Sequence, residues 1–462
     1  MNNDSRISTG NPEADLILGG GFVANSINIL MGEPGTGKTL FAEQLVFHNA
    51  SGDRPVLYLT TLSEPLSKVI TYLQRFSFYD EDKLGTSVTY DDLGSALAEG
   101  GPEILPERVR QMVETLAPKL IVIDSFKAVH DLTTSISEMR RMTSQLAGLL
   151  SAFEATTFLV GEYRSDDVAR YPEFAIADGI LEFARQKKSN ADERFIRVSK
   201  LRGSSYLEGL HGVHINSQGL QVYPRLVSPL SPLVYSTARE RVPTGVEGLD
   251  PLLQGGIWRG SSTLLVGPTG SGKTTMGLQF ALSGAGGVEP ALYVNFQENP
   301  TQLARVLDGL SPATAAAGHP GLHLLYASSV ELQIDRIIVD MFRMIETQGV
   351  RRVVIDAVGD LAMAAGNTQR IHDFLYSLVQ RLTTAGITTL FTLEDTVHGP
   401  IALPPGPDEF GRLSYMCDNL ILLELARGDR LQRRITIYKT RGSGHDEEAH
   451  HMTISKAGVR VQ

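Results

Sequence analysis

A segment near the N-terminus returns halfway along the chain. Gly32-Glu-Pro-Gly-Thr-Gly-Lys-Thr39 reappears as Gly267-Pro-Thr-Gly-Ser-Gly-Lys-Thr274, 235 residues later. Its neighbours keep that spacing. Arg6-Ile-Ser-Thr-Gly10 answers Arg241-Val-Pro-Thr-Gly245, and Leu18-Gly-Gly-Gly-Phe22 answers Leu253-Gln-Gly-Gly-Ile257. Further on, Leu120-Ile-Val-Ile-Asp124 answers Val353-Val-Ile-Asp356 at an offset of 232, and Lys200-Leu-Arg-Gly203 answers Lys439-Thr-Arg-Gly442 at 239. Loop insertions produce a drift of this size. A period of half the 462 residues means a duplicated domain, not a solenoid. The expected organisation is one domain over 1–223, a linker over 224–240 punctuated by Pro224, Pro229 and Pro232, and a second domain over 241–462.

Each copy alternates short apolar runs with helical patterns. In the first, Ser26–Met31, Val56–Thr60, Leu120–Asp124 and Thr157–Val160 read as buried parallel strands. Leu40–His48 and Ser63–Phe76 read as helices. Alternating strands and helices predict an α/β fold, a mostly parallel sheet flanked by helices. The later runs Gly179–Phe183, Arg194–Lys200 and His214–Ile215 read as an antiparallel extension.

The two repeated loops carry the chemistry. Glycines in Gly-x-x-x-x-Gly-Lys-Thr let backbone N–H groups wrap a phosphate, and the following helix points its positive end at the anion. The expected phosphate-binding set is Gly32, Gly35, Thr36, Gly37, Lys38, Thr39 and Leu40 in the first copy. In the second it is Gly267, Thr269, Gly270, Ser271, Gly272, Lys273, Thr274 and Thr275. Lys38 and Lys273 would reach the β- and γ-phosphates of ATP, and Thr39 and Thr274 would ligate Mg²⁺. Asp124 and Asp356 each end an apolar strand beyond the loop, where a carboxylate completes the Mg²⁺ site.

The catalytic base separates the copies. At the 235 offset, Thr60-Thr-Leu-Ser-Glu-Pro65 aligns with Asn295-Phe-Gln-Glu-Asn-Pro300. The second copy offers Glu298 as base and Gln297 to position water. The first has Leu62-Ser63 in register, with Glu64 displaced by one, and a leucine cannot activate water. Glu64 or Ser63 would serve only if that turn differs.

Taken together, these residues resemble the KaiC family, a branch of the RecA-like ATPases, over essentially the whole chain. The resemblance implies two tandem RecA-like P-loop NTPase domains, a homohexameric double ring and ATP between neighbouring subunits. Lys200 and Arg202, and Lys439 and Arg441, would then reach a neighbour's γ-phosphate. It also implies a signalling role with a KaiB-like protein partner, and a serine autokinase activity with Ser414 as acceptor. The chain departs from the family pattern in several places. Paired glutamates follow the second strand of each family domain, but only Glu298 stands in register here. Ser414-Tyr415 replaces the family's Ser-Thr pair, and the first copy has Phe174-Ala175 there. No counterpart of the family's partner-binding C-terminal tail is expected after Gln462.

Composition bounds the alternatives. There are 52 acids against 42 bases, a net charge of −10, which is a poor match for a nucleic-acid binder. Segments near Arg164–Arg170 and Gly399–Arg412 hold Asp166, Asp167, Asp408 and Glu409 beside few bases. They count against the rival reading, a DNA-processing RecA relative, whose channel needs clustered Lys and Arg. An ATP-assembled signalling scaffold with weak turnover is the third. One cysteine, Cys417, excludes a disulfide framework. The polar N-terminus and the lack of a long apolar run lead to the expectation of a cytoplasmic protein without a membrane span.

Overall fold

The computed structural model describes residues 6–61, 66–133, 135–187, 192–228, 240–286, 289–310, 319–365, 368–394, 409–427 and 431–462. The chain divides into two compact units, Met1–Arg225 and Leu226–Gln462. Of the expected linker, Leu226 packs in the core of the second unit and Ser228 bonds Ser377, while residues 229–239 lie outside the described set.

Each unit is built on one nine-stranded sheet. In the first unit the order from edge to edge is Gly219–Tyr223, His211–Asn216, Asp192–Leu201, Gly179–Lys187, Ile27–Gly32, Thr156–Gly161, Leu120–Asp124, Val56–Thr60 and Val88–Asp92. The second unit repeats this plan with Ser262–Gly267 in the place of Ile27–Gly32. These are the tandem RecA-like α/β domains expected from the repeat.

Alternation along the central strands shows why both faces need helices. Leu30, Tyr58 and Val122 face one apolar cluster, while Ile29, Leu57, Ile121 and Ile123 face another. The second unit does the same, with Leu264, Leu292 and Val353 on one side and Leu265, Tyr293 and Val354 on the other. Side chains of a strand point alternately up and down, so a run that is apolar throughout is stable only when covered twice. Helix Lys38–Asn49 supplies part of the cover through Phe41, Leu45 and Val46.

Two expectations are corrected. Gly179–Lys187 pairs parallel with Ile27–Gly32 on one side and antiparallel with Asp192–Leu201 on the other. The antiparallel extension therefore begins one strand later than its composition suggests, because an apolar run reads alike in either direction. Of the helix expected over Ser63–Phe76, residues 63–65 lie outside the described set, Leu66–Leu73 is helical, and the chain turns at Gln74–Phe76. Among the described residues no helix is long and apolar enough to cross a membrane.

Candidate functional site

Both glycine-rich loops leave the C-terminal end of a central strand and enter a helix at the lysine, Lys38–Asn49 in one unit and Lys273–Ala285 in the other. The residue before each helix is a left-handed glycine, Gly37 at φ +104° and Gly272 at φ +107°. A Cβ there would also press on Leu220 or Ile454, at 2.9 and 2.8 Å. Only glycine fits. Neither helix has a side-chain cap, so first-turn N–H groups are left for an anion. Thr39, Leu40, Thr274 and Thr275 lie in those first turns.

The lysines fold back on their loops. Lys38 Nζ donates to the Glu33 carbonyl at 2.9 Å, and Lys273 Nζ donates to the Gly267 and Pro268 carbonyls at 2.7 and 3.0 Å. Burial lowers both ammonium pKa values, and nearby carboxylates oppose that. A partly desolvated cation held by carbonyls is well prepared to gain from a phosphate. An arginine from two strands away in the sheet braces each loop, with Arg194 Nε on the Gly35 carbonyl at 3.3 Å and Arg433 Nε on that of Gly270 at 3.2 Å.

The strand aspartates meet the loops. Thr39 Oγ1 donates to Asp124 Oδ2 at 2.8 Å, and Thr274 Oγ1 donates to Asp356 Oδ2 at 2.8 Å. A tyrosine hydroxyl secures each carboxylate, Tyr58 to Asp124 at 3.1 Å and Tyr293 to Asp356 at 2.6 Å. Thr392 adds a third bond to Asp356. Burial raises the Asp124 carboxyl, while Thr39, Tyr58 and Lys38 favour its ionised form. The hydroxyl and carboxylate oxygens are the hard donors that Mg²⁺ prefers.

In the second unit a cleft of about 330 Å³ is lined by Lys273, Thr274, Gln297, Glu298, Asp356 and Glu394, among others. Glu298 is half-buried, and burial followed by the charge of Asp356 raises its carboxyl above the ordinary value. That shift suits a general base. Asn295 clamps the turn, accepting from the Gln297 and Glu298 amides at 3.1 and 3.2 Å and donating to the Glu298 carbonyl. Gln297 Nε2 rests on Asp360 at 3.0 Å. The corresponding turn of the first unit, with Ser63 and Glu64, lies outside the described residues.

The Lys-x-Arg segments stand at the other end of each sheet. Arg441 pairs with Asp418, which accepts from the Ser262 amide at the start of the strand leading to the second loop. From Ser262 to Gly267 the strand advances roughly 16 Å at about 3.3 Å per residue. Arg202 occupies the same place in the first unit, beside Asp178, which accepts from the Ile27 amide. Lys439 Nζ donates to the Ser414 and Cys417 carbonyls at 2.8 and 2.7 Å. Lys200 is paired opposite Ile180, the counterpart of the Leu420–Lys439 pairing. Ser414 lies in the last turn of helix Glu409–Met416, half-buried, and the Tyr415 hydroxyl bonds His372 Nε2 at 2.6 Å.

Several contacts escaped the sequence reading. Tyr58 and Tyr293 obey the 235 offset and were visible as a repeated tyrosine. Asp360 lies four residues beyond Asp356, in helix Val358–Ala365, with no motif to mark it. Glu43 gave no signal. It is buried on helix Lys38–Asn49, takes the Tyr90 hydroxyl at 2.5 Å, and burial pushes its carboxyl up to about 8. Leu278 stands at the matching position of the second unit, so this buried acid belongs to the first alone.

The family described as "ATPase: KaiC" matches residues 7–227 and again 242–462. The chain belongs to the KaiC ATPase family. Among curated relatives, the circadian clock oscillator protein KaiC of Picosynechococcus sp. is 27% identical over 97% of this chain and 88% of its own length. The protein of that name from Synechococcus elongatus is 26% identical, covering 97% and 87%. KaiC 1 of Synechocystis sp. gives the same figures of 26%, 97% and 87%. The likeness therefore spans both units of this KaiC-family chain.

Proposed function

We propose that this KaiC-family protein is a homohexameric ATPase that binds ATP at both loops and hydrolyses it mainly in the second unit. The observation that supports this most is the separation of each Lys-x-Arg segment from the loop of its own unit. Side chains at one end of a sheet cannot attend a phosphate at the other, so Lys200, Arg202, Lys439 and Arg441 would serve the nucleotide of a neighbour. Such a head-to-tail contact closes into a ring when the rotation allows.

The residues divide the work. Loop amides and Lys38 or Lys273 bind the phosphates, while Thr39 with Asp124, and Thr274 with Asp356, would hold Mg²⁺. When bound, the ion neutralises charge developing on the phosphate oxygens. Glu298 takes the proton of the attacking water, and Gln297, steadied by Asp360, orients that water. A neighbour's Lys439 and Arg441 add positive charge at the γ-phosphate. A KaiB-like signalling partner is part of this reading. The acids Asp166, exposed, and Asp167, half-buried, on the short helix Ser165–Ala169, oppose a nucleic-acid role.

Light scattering with saturating ATP and Mg²⁺ is expected to give hexamers at micromolar protein, since ligand at an interface stabilises it by mass action. A monomer under those conditions defeats the proposal. Turnover stimulated by single-stranded DNA would favour a DNA-processing role, and assembly without turnover a scaffold.

Serine autophosphorylation is a second activity of this reading. Ser414 shares its end of the sheet with Lys439 and Arg441, where a neighbour's nucleotide would lie. Tyr415 is held by His372, and a phenol presents its oxygen at a different distance from a threonine; reaction tolerates about 1 Å of misplacement. Intact mass after incubation with ATP is expected to show one phosphate, on Ser414. No added phosphate, or phosphate on Tyr415, rules this out.

A further inference from the structure

We propose that Glu394 sets nucleotide preference at the second loop, disfavouring a γ-phosphate relative to the diphosphate. The inference rests on the reading that this loop binds ATP. Glu394 is the last residue of strand Thr388–Glu394, and the parallel register sets it beside Gly267, where the loop begins. Its carboxylate accepts the hydroxyl of Thr269, inside the loop. Of the charges acting on Lys273, that of Glu394 is the largest, ahead of Asp356. Glu298 lines the same cleft.

ADP and ATP share their first two phosphates; the loop lysine would reach the β-phosphate of both and the γ-phosphate of ATP alone. A carboxylate anchored beside that lysine offsets part of its attraction for the added charge. An unanchored exposed glutamate would turn into solvent and be screened. The Thr269 hydroxyl prevents this. In the first unit Glu162 follows strand Thr156–Gly161 at the matching place and likewise acts on Lys38. There, however, Pro34 stands where the second loop has Thr269, so the loop has no hydroxyl at that position to hold the acid. The two loops share a motif but differ in this restraint.

The test is calorimetry on the full chain carrying Lys38→Ala, with Mg²⁺ and either ADP or a non-hydrolysable ATP analogue. Adding Glu394→Gln, which keeps the shape and an acceptor for Thr269, is expected to tighten the analogue roughly three- to tenfold, the size of one screened unit charge a few ångströms away. ADP is expected to stay within about twofold. Thr269→Val frees the carboxylate and is expected to shift the preference in the same direction by less. Equal shifts for both nucleotides, or a weaker analogue, overturn the proposal. Loss of both ligands with Lys38→Ala alone would overturn the reading of the second loop itself.

Discussion

Replacing Glu298 by glutamine is expected to lower ATP turnover by about 10²- to 10⁴-fold, the cost of a lost general base. The amide keeps the shape of the turn, because Asn295 holds it through the backbone of Gln297 and Glu298, not through the carboxylate. Nucleotide binding should therefore survive while the chemical step fails. The raised pKa of Glu298 matters to the effect. A carboxylate in a partly desolvated cleft beside Asp356 is more basic than one in water, and so takes a proton more readily. Steady-state phosphate release, measured beside equilibrium ATP binding, reads the two separately. Undiminished turnover in Glu298→Gln, with loss in Glu64→Gln, would mean that the first unit carries the chemistry.

Lys38→Ala and Lys273→Ala are each expected to remove one of two bound nucleotides per chain, weakening the affected site by roughly 10- to 100-fold. Hydrogen bonds to charged groups contribute about 1.5–3 kcal/mol, and a factor of ten is about 1.4 kcal/mol. Each ammonium is already partly desolvated beside carbonyls, so part of its solvation has been lost before any ligand arrives. Only Lys273→Ala should also remove most of the turnover. Counting bound nucleotide by equilibrium dialysis checks the first statement. A stoichiometry unchanged by either substitution would exclude that loop as a nucleotide site.

Much of this was legible before any coordinates. The glycine-rich loops announce helices opening at Lys38 and Lys273, and the helices are there. The apolar runs ending in Asp124 and Asp356 announce central strands, and those strands are there. The direction of the run at Gly179 was not legible, because burial on both faces erases the alternation that would mark an edge. Nor were Asp360 and Glu394, whose partners Gln297 and Thr269 lie 63 and 125 residues away in the chain.

From residue order alone came the duplication, the two glycine-rich loops, their threonine–aspartate pairs and the unequal turns at Leu62-Ser63 and Gln297-Glu298. The loops and turns work through contiguous backbone, and each aspartate is marked by the apolar strand that it ends, so each member is written in a short motif even where the pair is 85 or 82 residues apart. Tertiary structure alone decided that Tyr58 and Tyr293 secure the aspartates, that Arg194 and Arg433 brace the loops, and that Lys439 and Arg441 stand at the far end from their own loop. Those facts depend on strand register. One residue of slip would turn Tyr293 away from Asp356, and no local pattern encodes which strand lies beside which.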